Sequence, residues 1–193
     1  MSKTFELLKK YNKKFLFASS QMSNMNYSNY GILKLIGEKI SKTTNGLVVK
    51  FWNVYGLEKD ISKSHVITDF ILMAIKNKKI KMLTNGKESR DFLYADDCCE
   101  GLEIAMKKHT QFIKQGISID IASGKEIKII NIAKIIKKIF KKENVDIQIK
   151  AKKLKDLIQV NKRNKVNKYF LKFWKPKTSI QDGINSIVHH YKR

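Results

Sequence analysis

Proline occurs once in 193 residues, at Pro176, and arginine three times, at Arg90, Arg163 and Arg193. Glycine is also sparse, at nine positions, while 42% of residues are hydrophobic, so this is neither a low-complexity nor a disordered chain. Cysteine is confined to the adjacent pair Cys98 and Cys99, which makes no disulfide framework and no metal-ligand spacing. A reducing, cytoplasmic setting is expected. No apolar run approaches the ~18 residues of a membrane span. The N-terminal run Phe15-Leu16-Phe17-Ala18 is too short for a secretory signal. Acidic residues are few as well: 17 Asp and Glu face 40 Lys and Arg, a net charge of +23.

That charge invites a nucleic-acid reading, but the scarcity of arginine argues against it. Arginine does most bidentate recognition of phosphate and guanine. The lysines are spread along the whole chain, as on a solvated lysine-rich surface. They would still attract anionic substrates, at a rate that falls with salt.

The length predicts one ordinary domain or two small ones with a sizeable core. Residues 4–11 read as the end of a helix and residues 14–19 as a short buried strand rich in Phe and Leu. A polar loop over 21–28 leads to a helix that Asn29 would cap. Its apolar spacing, Ile32, Leu33, Ile36 and Ile40, predicts the buried face. A second strand covers 47–54. Then come a helix over 65–77, a strand over 80–83, a turn at Asn85-Gly86, a helix over 96–107 and a strand over 118–122. An amphipathic helix over 129–141 would turn Ile132, Ile135, Ile136 and Ile139 inward. A strand over 145–149 and a last helix over 179–191 complete the reading. Alternation of strands and helices predicts an α/β fold with a mostly parallel sheet. Ligands of such sheets bind beyond the carboxyl ends of the strands, which is where Ser19-Ser20 falls. His65, His109, His189 and His190 lack metal-ligand spacing and read as surface residues.

Tyr30 and Lys34 are four apart on a helix and so share a face. A free tyrosine titrates near pH ~10, too high for a base at neutral pH. A nearby ammonium favours the phenolate. A serine hydroxyl, as at Ser20, could share the proton or hold a substrate oxygen. Together they could take a proton from a sugar hydroxyl while hydride leaves the same carbon. By spacing alone, Tyr30 and Lys34 fit a plain surface pair on an amphipathic helix better than a catalytic one.

Phe17-Ala18-Ser19-Ser20, followed by Asn29-Tyr30-Gly31-Ile32-Leu33-Lys34 and Gly37-Glu38, resembles the active-site block of the extended short-chain dehydrogenase/reductases. These are the NAD-dependent nucleotide-sugar epimerases and dehydratases. Val48 to Gly56 is similar to that family's strand ending in Asn-Val-Tyr-Gly. Gly86 to Asp97 is similar to its Gly-x-x-x-Arg-Asp-Phe-Val-Tyr-Val-Asp-Asp segment. Asp120 to Gly124 resembles its Asn-Ile-Gly-Ser-Gly, and Trp174 to Ile184 its C-terminal Trp-x-Pro and Gly-Ile pattern. The resemblance implies a partial Rossmann-type parallel sheet with a small C-terminal substrate-binding α/β domain. Residues 1–56 would be the last part of the NAD-binding domain and 57–193 the substrate-binding region, with 117–122 returning to the main sheet.

The resemblance also implies roles. Tyr30 would be the catalytic base, assisted by Ser20, with Lys34 on the nicotinamide ribose of NAD or NADP. Trp52 would line the nicotinamide pocket through its backbone. Asn53 and Arg90 would hold the diphosphate of a nucleotide-sugar substrate, which Ser20 would also touch. No metal is implied. The implied activity is epimerisation through a keto-sugar intermediate. A 4,6-dehydratase and a heptose-type epimerase are the near alternatives, and a non-catalytic basic binding fragment is the alternative of another class. Gln21-Met22 stand where 4,6-dehydratases often carry an acidic pair, which favours epimerisation. Lys152, Lys153 and Lys155 stand where the family has a late Arg. The glycine-rich phosphate loop Gly-x-x-Gly-x-x-Gly occurs nowhere in the sequence. The reading therefore expects a truncated or split enzyme, weak or inactive alone and with an exposed sheet edge. A homodimer through the Tyr30 helix, or a complementing N-terminal half, is the expected partner.

Overall fold

The computed structural model describes residues 2–24, 28–154 and 165–193. Lys155, one of the three lysines that stand where the family has a late Arg, lies outside them. The fold is mixed α/β with parallel strand pairing, as the alternation of elements predicts. The chain divides into two compact units. The first takes the described residues of Met1–Trp52, Cys98–Gly124 and Asn164–Lys175, and the second those of Asn53–Asp97, Lys125–Arg163 and Pro176–Arg193.

In the first unit, β1 (Phe15–Ser20), β2 (Gly46–Phe51) and β6 (Ile119–Ile121) form a parallel sheet in the order β1-β2-β6. The central β2 buries Leu47, Val48 and Val49, the continuous apolar run of a strand covered on both faces. The edge strand β1 is not the buried strand its Phe-Leu composition predicts. Phe15, Leu16 and Phe17 are half-buried and Ala18 is exposed, because β1 has a neighbour on one side only. α1 (Ser2–Lys10) places Phe5 against the rings of Phe15 and Phe17, at 6.1 and 5.8 Å. The crossover between β1 and β2 is α2 (Asn29–Lys42). Its cap is Ser28 rather than Asn29: the Ser28 hydroxyl accepts from the Gly31 N–H at 3.0 Å.

α2 also corrects the expected facing. Its buried positions are Gly31, Gly37, Glu38 and Ser41, while Ile32, Leu33 and Ile36 are 42%, 54% and 45% exposed. Close packing explains the inversion. A β-carbon on Gly37 would sit 2.2 Å from the Phe17 ring, so only glycine lets the helix approach β1 there. His109 is a second correction. It opens α5 (His109–Lys114), is 1% exposed, and its Nε2 meets the Asn45 carbonyl at 3.0 Å. The unit closes on an aromatic cluster in which Phe112 lies 5.8 Å from Phe170 and 5.2 Å from Phe173.

In the second unit, β3 (Asn53–Tyr55) runs parallel to β5 (Ser89–Tyr94), which pairs antiparallel with β7 (Glu126–Lys128). β4 (Lys79–Met82) and β8 (Gln148–Ala151) form a separate parallel pair. The core joins α3 (Val66–Asn77), α6 (Ile129–Lys141) and α7 (Ile180–Tyr191) through Ile67, Ile71, Ile132, Ile136, Ile184 and Ile187. α6 buries Ile132, Ile136 and Ile139 and half-buries Ile135, as its periodicity predicts. Gly183 in α7 is required by contact: a β-carbon there would lie 2.2 Å from the Tyr55 hydroxyl. The division between units falls inside α4 (Ala95–Lys107), after Asp97.

Candidate active site

Ser20 is the last residue of β1 and is half-buried. Its hydroxyl accepts from the Met22 N–H at 3.2 Å, which starts the short 3-10 helix Gln21–Asn24. Tyr30 lies in the first turn of α2 and is 54% exposed. Lys34 is one turn further along. Its Nζ donates to the Ala18 carbonyl at 2.7 Å and lies 5.5 Å from the Tyr30 ring centroid and 5.6 Å from that of Phe17. The i, i+4 spacing thus puts the ammonium beside the phenol ring and ties both to the end of β1. Among the described residues no hydrogen bond joins Ser20 to Tyr30 or Lys34.

Trp52 is 9% exposed, and its indole Nε1 donates to Asp120 Oδ2 at 3.1 Å. The other two expected site residues lie in the second unit. Asn53 opens β3, and its Nδ2 donates to the Asp91 carbonyl at 2.9 Å. Arg90 is half-buried on β5, opposite Ile127 of β7. The neighbouring acidic pair is structural in part: Asp97 accepts from the Lys177 and Thr178 N–H groups at 3.0 and 2.9 Å.

Three further charged groups of the first unit, which the sequence did not single out, are largely withdrawn from water. Glu38 is 5% exposed on α2, and Ser19 Oγ donates to its Oε1. Its Oε2 meets Lys50 Nζ at 3.2 Å, with side chains 6% and 12% exposed. Lys50 also donates to Asn24 Oδ1 at 2.6 Å. Asp120 is 7% exposed, and its Oδ2 accepts from the Asn167 N–H at 2.8 Å as well as from Trp52. Burial holds the Asp120 carboxyl above its ordinary range, opposed by those two hydrogen bonds and by the Lys50 charge. The available signal was a lysine and an aspartate inside otherwise apolar strands, since buried charges must be paired.

The family model of the NAD dependent epimerase/dehydratase family matches residues 3–122. The chain belongs to that family. Among curated relatives of this epimerase/dehydratase chain is a putative UDP-glucose 4-epimerase of Methanocaldococcus jannaschii, 26% identical over 97% of this chain. Two solved structures share the fold. One is dTDP-glucose 4,6-dehydratase of Bacillus anthracis in complex with NAD, TM-score 0.77 and 20% identity over 99% of this chain. The other is UDP-glucose 4-epimerase of Thermotoga maritima with UDP-glucose, TM-score 0.76 and 20% identity over 97%. The chain spans 66% of the length of each of these three proteins.

Proposed function

We propose that this chain carries the proton-transfer and substrate-binding parts of an NAD-dependent nucleotide-sugar epimerase. The observation that carries the reading is the placement of Lys34: one ammonium bound to the end of β1 and set 5.5 Å from the centre of the exposed Tyr30 ring. Tyr30 takes the proton of a sugar hydroxyl at its phenol oxygen and returns it after inversion. Lys34 stabilises the phenolate that accepts this proton. Ser20, at the strand end, holds the substrate oxygen. Bound NAD would supply a reversible hydride acceptor for the sugar carbon that bears this hydroxyl. Lys34, Tyr30 and the Trp52 backbone fit the nicotinamide-ribose end, whereas the sequence has no glycine-rich loop for the diphosphate. The first unit would serve the cofactor, and Asn53 and Arg90 in the second would hold the substrate diphosphate, for which a guanidinium fork is suited. Gln21 and Met22 supply no carboxylate for elimination, which supports epimerisation over 4,6-dehydration. A 4,6-dehydratase or a heptose-type epimerase would use the same three residues.

The test is a turnover assay with NAD and UDP-, dTDP- and GDP-sugars, reading epimer formation. Tyr30→Phe is expected to lower the rate by about 100-fold or more, the scale of a lost general base. Because no glycine-rich loop is present, binding of NAD to this polypeptide alone is expected to be weak by calorimetry. Undiminished turnover in Tyr30→Phe would sink the assignment.

A second reading, a basic binding module, is favoured by one surface. On the β4–β8 pair, Lys81 stands directly across from Lys150, and Lys79 leads the same strand. The Lys79 ammonium is held below its ordinary range by contact with Lys150 and by the charge of Lys81. Among the described residues none of the three has an ion-pair partner, and an anion would relieve their repulsion. A gel shift with random single-stranded DNA should show retention at low salt, lost as salt rises. The change of all three lysines to Gln should weaken it. No retention at low salt removes this reading.

A further inference from the structure

Ser19, Lys50 and Asp120 stand side by side across the sheet of the first unit, one from each strand. Residues paired across a parallel sheet project to the same face. All three are largely withdrawn from water, and α2 adds a second buried carboxylate, Glu38, to the row. Lys50 is a cation between two buried carboxylates: it pairs with Glu38 at 3.2 Å and its field acts on Asp120.

Each member of this row is joined to a different part of the candidate site. Ser19 precedes Ser20 and donates to Glu38. Glu38 continues the stripe of Tyr30 and Lys34 at the next i+4 position of α2. Asn24, which accepts from Lys50 at 2.6 Å, ends the 3-10 helix that begins directly after Ser20. Asp120 fixes the Trp52 indole. A buried ion pair is a poor source of stability compared with apolar packing of the same volume. It does, however, demand one geometry, because each displaced partner leaves a charge unpaired.

We propose that Lys50 is a positioning residue: by tying Glu38 of α2 and Asn24 after Ser20 to one ammonium on β2, it sets Tyr30 and Lys34 against Ser20. This rests on the reading of those three residues given above. It says that Lys50 acts through the helix and the turn and touches no substrate.

The test reads site geometry rather than turnover, so it stands apart from the test of function. In the full chain, the nuclear Overhauser effect between the Lys34 side chain and the Phe17 ring reports how α2 sits on β1. Hydrogen exchange of the Met22 amide reports the turn that Ser20 accepts into. Lys50→Met is expected to lose stability and weaken both signals, and Lys50→Arg to keep them. The double variant Lys50→Met, Glu38→Gln removes both charges of the pair and guards against a single variant that fails to fold. It is expected to recover most of the lost unfolding midpoint. The Lys34–Phe17 effect should remain weakened and Met22 should exchange about tenfold faster, equivalent to about 1.4 kcal/mol. A double variant with both signals at parental strength would show that Lys50 balances charge and positions nothing, and would overturn the proposal. So would a folded Lys50→Met with both signals intact. Loss of the signals in Lys50→Met together with undiminished turnover in Tyr30→Phe would leave this inference standing while the functional reading falls.

Discussion

Asp120 shows how a single residue can report the polarity of its surroundings. Burial raises its carboxyl from an ordinary value near 3.8. The folded protein therefore holds this proton more tightly than the unfolded chain does, and ionisation withdraws stability as pH rises through the raised folded value. Asp120→Asn keeps one oxygen for the Trp52 and Asn167 donors but never ionises. Its stability relative to the parent is expected to be better at about pH 7 than at about pH 3.5, measured by urea unfolding at both. A difference that does not change with pH counts against this account. His109 teaches the complementary lesson. A lone histidine among lysines reads as a surface residue, yet the fold buries it against the Asn45 carbonyl, and burial lowers its pKa. Nothing local in the sequence marks that contact, since the partners are far apart along the chain. Tyr30 and Lys34 differ in this respect. Their meeting is legible because helix periodicity alone brings i and i+4 together, and the ammonium does stand beside the ring.

At the scale of the element, α6 and α2 make a useful contrast. Both carry a three-four apolar spacing. α6 turns it inward, burying Ile132, Ile136 and Ile139, whereas α2 leaves Ile32, Leu33 and Ile36 exposed. Periodicity identifies a stripe but not which side of the helix the sheet will claim. On α2 the claim is decided by approach distance. Gly37 against Phe17 and Glu38 against Ser19 need a close, partly polar contact that isoleucines would hold apart. Gly37→Ala tests this. Alanine favours a helix over glycine by about 1 kcal/mol, while overpacking of a tight contact costs about 1–3 kcal/mol. A net loss of up to about 2 kcal/mol is therefore expected in denaturant unfolding. A gain of stability would show that Phe17 yields freely. The same reasoning explains why β1 is half-buried despite its aromatic composition: an edge strand has fewer neighbours, whatever its side chains.

Over the whole molecule, the net charge of +23 is a standing repulsion. It favours expanded states, and salt screens it over the Debye length of ~8 Å at about 0.15 M ionic strength. The thermal midpoint is therefore expected to rise as sodium chloride is raised from low salt to about 0.15 M. A flat or falling midpoint would mean that ion pairs such as Lys50–Glu38 outweigh the repulsion. In three dimensions the lysines are also less evenly spread than along the chain. Lys79, Lys81 and Lys150 come from segments distant in sequence and meet only because β4 and β8 pair in register.

Local pattern was enough to read the alternating α/β order, the family's ordered motifs and the Tyr30–Lys34 face, because each depends on residues within a few positions of one another. The charged row Ser19–Lys50–Asp120 with Glu38, the burial of His109 and the outward stripe of α2 were settled only by folding. Each depends on which distant strand or helix arrives beside a residue, and strand register and helix approach are set by packing across the whole unit.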